Sequence, residues 1–168
     1  MSNLRNPFRI NVGFIVHEEV GYSREIPLEL ERAILGDDLE LSDFVGAVNI
    51  SRTPQGLIFQ GAFTGGVVLE CVRCLKEFVF SLHWEFTELY AFNRKSVSDS
   101  GLLVPESAQI DLAPLLREYA ILELPIKPLC KPDCKGLCME CGADLNLIDC
   151  GHHRGLDDSP FSVLKKLL

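Results

Sequence analysis

The chain has 168 residues, 47% hydrophobic and 24% charged, with a formal net charge of -8. That balance excludes global disorder and argues against indiscriminate binding to nucleic acid. It suits one globular domain or a domain with a small appended module. The N-terminal residues Met1-Ser2-Asn3-Leu4-Arg5-Asn6-Pro7 contain no apolar run of the kind a secretory signal needs, and no apolar run anywhere is long enough to span a bilayer. The expected location is therefore the cytoplasm, where thiols stay reduced and clustered cysteines favour metal or redox roles.

In chain order, Phe8, Ile10, Val12, Phe14 and Val16 alternate with polar residues, which predicts a half-buried strand over 8–16. Ile26, Leu28 and Leu30 alternate as well, Pro27 suits an edge strand, and Gly36-Asp37-Asp38 predicts a turn. A strand follows over 44–52, and Thr53-Pro54-Gln55-Gly56 turns the chain. The next strand runs over 57–70, with Gly65-Gly66 marking a bulge or bend. Cys71-Val72-Arg73-Cys74 then precedes a long strand on which Phe78, Phe80, Leu82, Trp84 and Phe86 share a face. The Cys-x-x-Cys pair thus belongs at the tip of a long hairpin.

Residues 93–109 are polar and aperiodic, which predicts a loop. Asp111 reads as a helix cap. Leu112, Leu115, Leu116, Tyr119 and Leu122 form a stripe at helical spacing, with Pro114 in the first turn and Pro125 and Pro128 ending the helix. Near the C-terminus, Ser159-Pro160 opens a short helix that Phe161, Leu164, Leu167 and Leu168 would dock. The expected fold class is α+β: a curved, barrel-like antiparallel sheet, then a helix, a Cys-rich zinc-knuckle module and a short C-terminal helix. The expected domains are an antiparallel β domain over 1–125 with a closing helix over 111–124, and a Cys-rich metal-binding module with its docking helix over 126–168.

The cysteines carry the chemistry. Cys130, Cys134, Cys138 and Cys141 crowd into one segment, and Cys71 and Cys74 lie upstream. Two cysteines two apart can present both sulfurs to one tetrahedral ion, and the Gly142 that follows Cys141 lets the turn aim its amides at the thiolates. The set points to a bound metal, with zinc the favoured ion; four thiolates would also hold an iron–sulfur centre. Two arrangements compete. A local one uses Cys130, Cys134, Cys138 and Cys141, whose short spacing makes closure cheap in chain entropy. A long-range one joins Cys71 and Cys74 to Cys138 and Cys141. The local set is preferred and the other stays open. Cys150, His152 and His153 read as surface-loop residues more readily than as ligands, and His17 and His83 as structural or exposed. A four-thiolate site has no position left for water, so it stabilises rather than catalyses. Nothing in the sequence suggests an enzyme: there is no HExxH and no phosphate-cradling Gly-Lys-Ser/Thr loop.

Charge is uneven. Between Val16 and Phe44 there are nine acids and two bases, a net -7, so the remainder sums to -1. Arg73, Lys76, Lys127, Lys131 and Lys135 all lie beside cysteines.

Leu69-Glu70-Cys71-x-x-Cys74 leads into an aromatic strand, and Ile110-Asp111-Leu112 opens a helix that runs through Leu122-Glu123-Leu124-Pro125. Pro128-Leu129-Cys130-x-x-x-Cys134-Lys135-Gly136-Leu137-Cys138-x-x-Cys141-Gly142-x-x-Leu145-Asn146 follows. Together these resemble the bacterial and plastid YceD family, associated with large-subunit ribosomal RNA accumulation. The resemblance covers most of the chain from about Phe44 onward. Where the family's tail often reads Asp-Pro-Arg, this chain has Asp158-Ser159-Pro160-Phe161 and lacks the arginine. The resemblance implies a cytosolic, non-enzymatic factor in ribosomal RNA processing or large-subunit assembly. Its partners would be large-subunit ribosomal RNA or its precursor, with a ribosomal protein or a ribonuclease as further candidates, and no membrane or small-molecule substrate. On that reading Arg73, Lys76, Lys127, Lys131 and Lys135 would touch phosphates. Two other readings compete: a module whose acidic segment meets a basic ribosomal protein, and a thiol or zinc redox switch.

Overall fold

The computed structural model describes residues 6–152. It divides the chain into two compact units, Met1–Val68 with Val79–Ile126 and Leu69–Phe78 with Lys127–Leu168. The hairpin tip thus belongs with the Cys-rich segment rather than with the sheet that precedes it in sequence. The C-terminal helix expected after Ser159 lies outside the described residues, as does His153.

The first unit is built on a four-stranded meander in the order β2-β3-β4-β5. Its strands are β2 (Ser23–Ile34), β3 (Glu40–Arg52), β4 (Gly56–Glu70) and β5 (Glu77–Ala91). The β2–β3 ladder is antiparallel, with Ile26 opposite Val48, and so is β3–β4, with Val48 opposite Gly61. The sheet is open. β2 and β5 are its edges, so these ladders do not close the barrel-like sheet expected from the sequence. β2 is an edge for the reasons its residues supply: Pro27 has no amide to donate, and Glu25, Glu29 and Glu31 are exposed charges that deter pairing with another chain. A second, two-stranded antiparallel sheet pairs β1 (Arg9–Asn11) with β6 (Gln109–Asp111).

Two local expectations change. The predicted strand over 8–16 stops after Asn11, and Gly13–Val16 forms a single helical turn, α1. The Asn11 side chain accepts the Gly13 amide at 2.9 Å, and the Val12 carbonyl accepts the Ile15 and Val16 amides. A side chain that bonds its own backbone competes with the strand ladder. The turn buries Ile15 and leaves Phe14 outside. The bulge falls opposite Gly65-Gly66 rather than in it: the β3–β4 register slips between Ser42 and Val45, where Asp43 takes a left-handed φ of 49°. Asp tolerates that conformation better than most residues.

The core is largely aromatic. Phe44 stacks on Phe63 at 5.2 Å, meets Phe8 edge-on at 5.7 Å and lies 5.9 Å from Trp84. Phe86 continues the row to Tyr119 of helix α2 (Ala113–Leu122) at 5.5 Å, and the Tyr119 hydroxyl donates to Glu88 at 2.7 Å. α2 buries Leu115, Leu116 and Ala120, with Leu112 just before it, whereas Leu122 is exposed and drops out of the predicted stripe. Asp111, the last residue of β6, accepts the Ala113 amide at 3.0 Å and so caps the helix as expected, one position further out than a standard N-cap. Helices are few, and no helix among the described residues is long and apolar enough to cross a membrane.

Phe44 is fully buried against three aromatic rings, so Phe44→Ala should destabilise the protein by about 3–5 kcal/mol. Val45, next to it and largely exposed, should tolerate Ala within about 0.5 kcal/mol. Urea unfolding of the two variants checks the contrast.

Candidate metal centres

The β4–β5 tip folds on itself first. The Cys71 amide donates to the Lys76 carbonyl and the Leu75 amide to the Cys71 carbonyl, both at 2.9 Å, which turns the chain and leaves Leu75 at a positive φ of 58°. The segment after Ile126 docks on that tip through backbone. Val72 donates to the Pro128 carbonyl at 3.0 Å, and Leu137 donates to the Arg73 carbonyl at 3.0 Å. The Arg73 guanidinium donates to the Cys134 carbonyl at 2.7 Å. Gly136 permits the close approach: its φ is 81°, and a Cβ there would lie 2.9 Å from the Arg73 carbonyl oxygen.

These contacts bring Cys71, Cys74, Cys130 and Cys134 together, with all four sulfurs within 4.8 Å of one another. Cys71 and Cys134 are 3.8 Å apart and Cys74 and Cys130 are 3.6 Å apart, sulfur to sulfur. All are free thiols. A tetrahedral ion with metal–sulfur bonds of about 2.3 Å requires ligand sulfurs about 3.8 Å apart, so the spacing suits a four-thiolate site. Cys71, Cys74 and Cys134 are buried and Cys130 is half-buried, against Phe78, Leu129 and Leu137. Backbone amides, led by that of Cys130, hold the Cys71 thiol down at about 6. Burial pushes the Cys130 thiol up to about 12, and its neighbouring thiols reinforce this. Four sulfurs so close cannot all become anions unless a cation joins them.

A second group gathers Cys138, Cys141, Cys150 and His152, their ligand atoms again within 4.8 Å. Here Cys138 is buried, Cys150 half-buried, and Cys141 and His152 exposed. Cys138 opens a tight knuckle. Its amide donates to Ala143 at 2.8 Å, and Gly142, at a φ of 71°, donates back to the Cys138 carbonyl at 2.9 Å. The amides of Cys141 and then Glu140 hold the Cys138 thiol down at about 6.

One polar chain braces the first group. Asn146 donates from its side-chain amide to the Cys134 sulfur at 3.5 Å and accepts the Lys135 amide at 2.9 Å. Asp144 accepts from the Asn146 backbone and side chain, and its other oxygen meets the Lys76 ammonium at 2.6 Å. Lys76 first, then Asn146, holds the Asp144 carboxyl down at about 2. A lowered carboxylate stabilises the fold above the usual carboxylate range, and that contribution is lost as pH falls through about 2.

Neither grouping expected from spacing forms. The six predicted ligands are all present, but Cys130 and Cys134 join Cys71 and Cys74, whereas Cys138 and Cys141 join Cys150 and His152. The reason is the turn between Cys134 and Cys138. Gly136 and the Leu137–Asp144 bridge give the two cysteines to different groups. Cys150 and His152 carried a signal in their Cys-x-His spacing. Asn146 lay at the end of the Leu145-Asn146 motif without its role being evident. Of the basic residues, Arg73 holds the Cys134 carbonyl and Lys76 holds Asp144, while Lys127, Lys131 and Lys135 are exposed. His17 and His83 are both exposed.

Residues 59–168 match the family described as Large ribosomal RNA subunit accumulation protein YceD. An uncharacterized protein of Mycobacterium tuberculosis is 30% identical over 161 residues, covering 92% of this chain and 74% of its own. The Arabidopsis thaliana protein named Large ribosomal RNA subunit accumulation protein YCED homolog 1, chloroplastic, is 36% identical over 63 residues, 38% of this chain and 20% of its own. YlbN of Bacillus subtilis is 26% identical over 112 residues, 66% of this chain and 65% of its own. No solved structure matches.

Partners that orient metal ligands typically contribute about 10–100-fold in metal affinity. Asn146→Ala should weaken retention of one metal ion by about that factor, read by competition with a chelator of known affinity. Gly136→Val should lower stability because the side chain meets the Arg73 carbonyl at a left-handed position. Limited proteolysis should then cut within 127–152 before the sheet is lost.

Proposed function

The chain belongs to the YceD family, and from that membership we propose a non-enzymatic factor that promotes large-subunit ribosomal RNA processing and accumulation during ribosome assembly in the cytoplasm. Cys71, Cys74, Cys130 and Cys134 hold a structural zinc ion. The observation that carries the reading is the span of the family match: residues 59–168 take in all seven cysteines and both groups they form. The Arabidopsis and Zea mays relatives carry large ribosomal RNA subunit accumulation in their names. The chemistry supports a role without catalysis, because four thiolates around zinc leave no coordination position for a substrate or water.

Lys127, Lys131 and Lys135 extend from this same unit into solvent and are the residues assigned to RNA phosphates. Arg73 and Lys76 act chiefly as braces, although both remain exposed enough to add charge. A second reading rests on the other unit. The exposed acids of β2 and the following turn, Glu25, Glu29, Glu31, Asp37 and Asp38, suit a basic ribosomal protein, with Asp38 already paired to Arg117 at 2.5 Å.

Deleting the gene should lower mature large-subunit ribosomal RNA relative to small-subunit RNA and raise its precursors. Wild-type protein should restore the ratio, and no change on deletion would contradict the proposal. Replacing Lys127, Lys131 and Lys135 together by Ala should reduce the slope of log affinity against log salt by about 2–3 for a large-subunit RNA fragment. An unchanged slope would contradict the assignment of these lysines to RNA phosphates. Stripping the metal should lower the melting temperature and expose 127–152 to protease.

A further inference from the structure

The second ligand group is separate from the first in every donor. We propose that Cys138, Cys141, Cys150 and His152 bind a second zinc ion, which exchanges readily with external chelators while the four-cysteine ion is retained. The family reading does not enter this inference, which concerns metal content and lability alone.

Three observations carry it. First, three thiol sulfurs and one imidazole nitrogen within 4.8 Å form a complete tetrahedral donor set for zinc, and none of the four is shared with the first group. Two ions per chain therefore fit without competition for ligands. Second, the site is pre-shaped from one short segment. The Cys138 knuckle is closed by the Cys138–Ala143 and Gly142–Cys138 hydrogen bonds. Gly151, at a φ of 73°, donates to the Asp149 carboxylate at 2.9 Å and so turns the chain between Cys150 and His152. All four ligands lie between residues 138 and 152, so closing the site costs little chain entropy. Third, the two groups differ in access. The four-cysteine group is buried at three positions and braced by Arg73 and Asn146, whereas Cys141 and His152 are exposed. A chelator can reach an ion through those two ligands and displace them one at a time. The four-cysteine group offers a chelator only the half-buried Cys130, and reaching its other ligands means breaking the docking of 127–137 on the hairpin tip.

The first ion thus serves as a fixed staple, and the second as an exchangeable ion on the surface of the same unit. The test is the zinc content of the full chain purified in zinc-containing buffer, followed by timed transfer of zinc to a chromogenic chelator. Two zinc ions per chain are expected, one leaving at least about tenfold faster than the other. Cys150→Ser and His152→Ala should each reduce the content to one ion and remove the fast phase, with far-ultraviolet circular dichroism unchanged. Because His152 is exposed, its variant folds independently of any packing lost at Cys150 and decides the matter if Cys150→Ser aggregates. Cys74→Ser should do the reverse, losing the slow phase. One zinc per chain in the wild type, release of both ions in a single phase, or two ions retained in His152→Ala would each overturn the proposal.

Discussion

Four buried or half-buried thiols converging between a hairpin tip and a later segment are the constraint on which the second unit depends. Cys71, Cys74, Cys130 and Cys134 are too close to be independent, and no disulfide relieves them. The apolar material around them is slight: Phe78, Leu129 and Leu137. Among the described residues this is a small core, of the kind a bound metal ion commonly reinforces. The surrounding polar contacts make sense in that light. Arg73 fixes Cys134, the Arg73 carbonyl receives Leu137, and Asn146 reaches the Cys134 sulfur.

The two units meet different physical problems. The first stabilises itself by aromatic packing, from Phe8 through Phe44, Phe63 and Phe86 to Tyr119. It protects its exposed edge with proline and acid. Among its described residues the second buries few large apolar side chains, holds its chain by backbone docking and clustered sulfurs, and exposes Lys127, Lys131 and Lys135. The excess negative charge sits on the first unit, and the exposed Lys127, Lys131 and Lys135, proposed above to meet RNA, on the second.

Much of this was legible in the sequence. Period-two alternation marked the long strands, because one face of each packs on the aromatic core. The Cys-x-x-Cys pair was placed at a hairpin tip because apolar strands flank it on both sides. Six of the eight candidate metal ligands were recognisable by type, but Cys150 and His152 were read as surface-loop residues and the partition was not evident. Spacing weighs chain entropy alone, and the outcome rested on one left-handed glycine and one arginine carbonyl. Likewise Asn11 ended a strand whose apolar pattern ran on, because a side-chain hydrogen bond outweighed periodicity over a few residues. A barrel-like sheet was expected, yet the ladders leave β2 and β5 as edges, and Pro27 with its neighbouring glutamates suits β2 to that place.

The proposed role in large-subunit ribosomal RNA accumulation rests on the cysteine-organised unit. The most direct test is crosslinking in cells, stringent purification and sequencing of the attached RNA, comparing wild-type protein with a Cys71→Ser/Cys74→Ser variant expressed at the same level. The account predicts discrete large-subunit ribosomal RNA positions in the wild type that fade in the variant. No enrichment of large-subunit RNA, or an identical map in the variant, would contradict it.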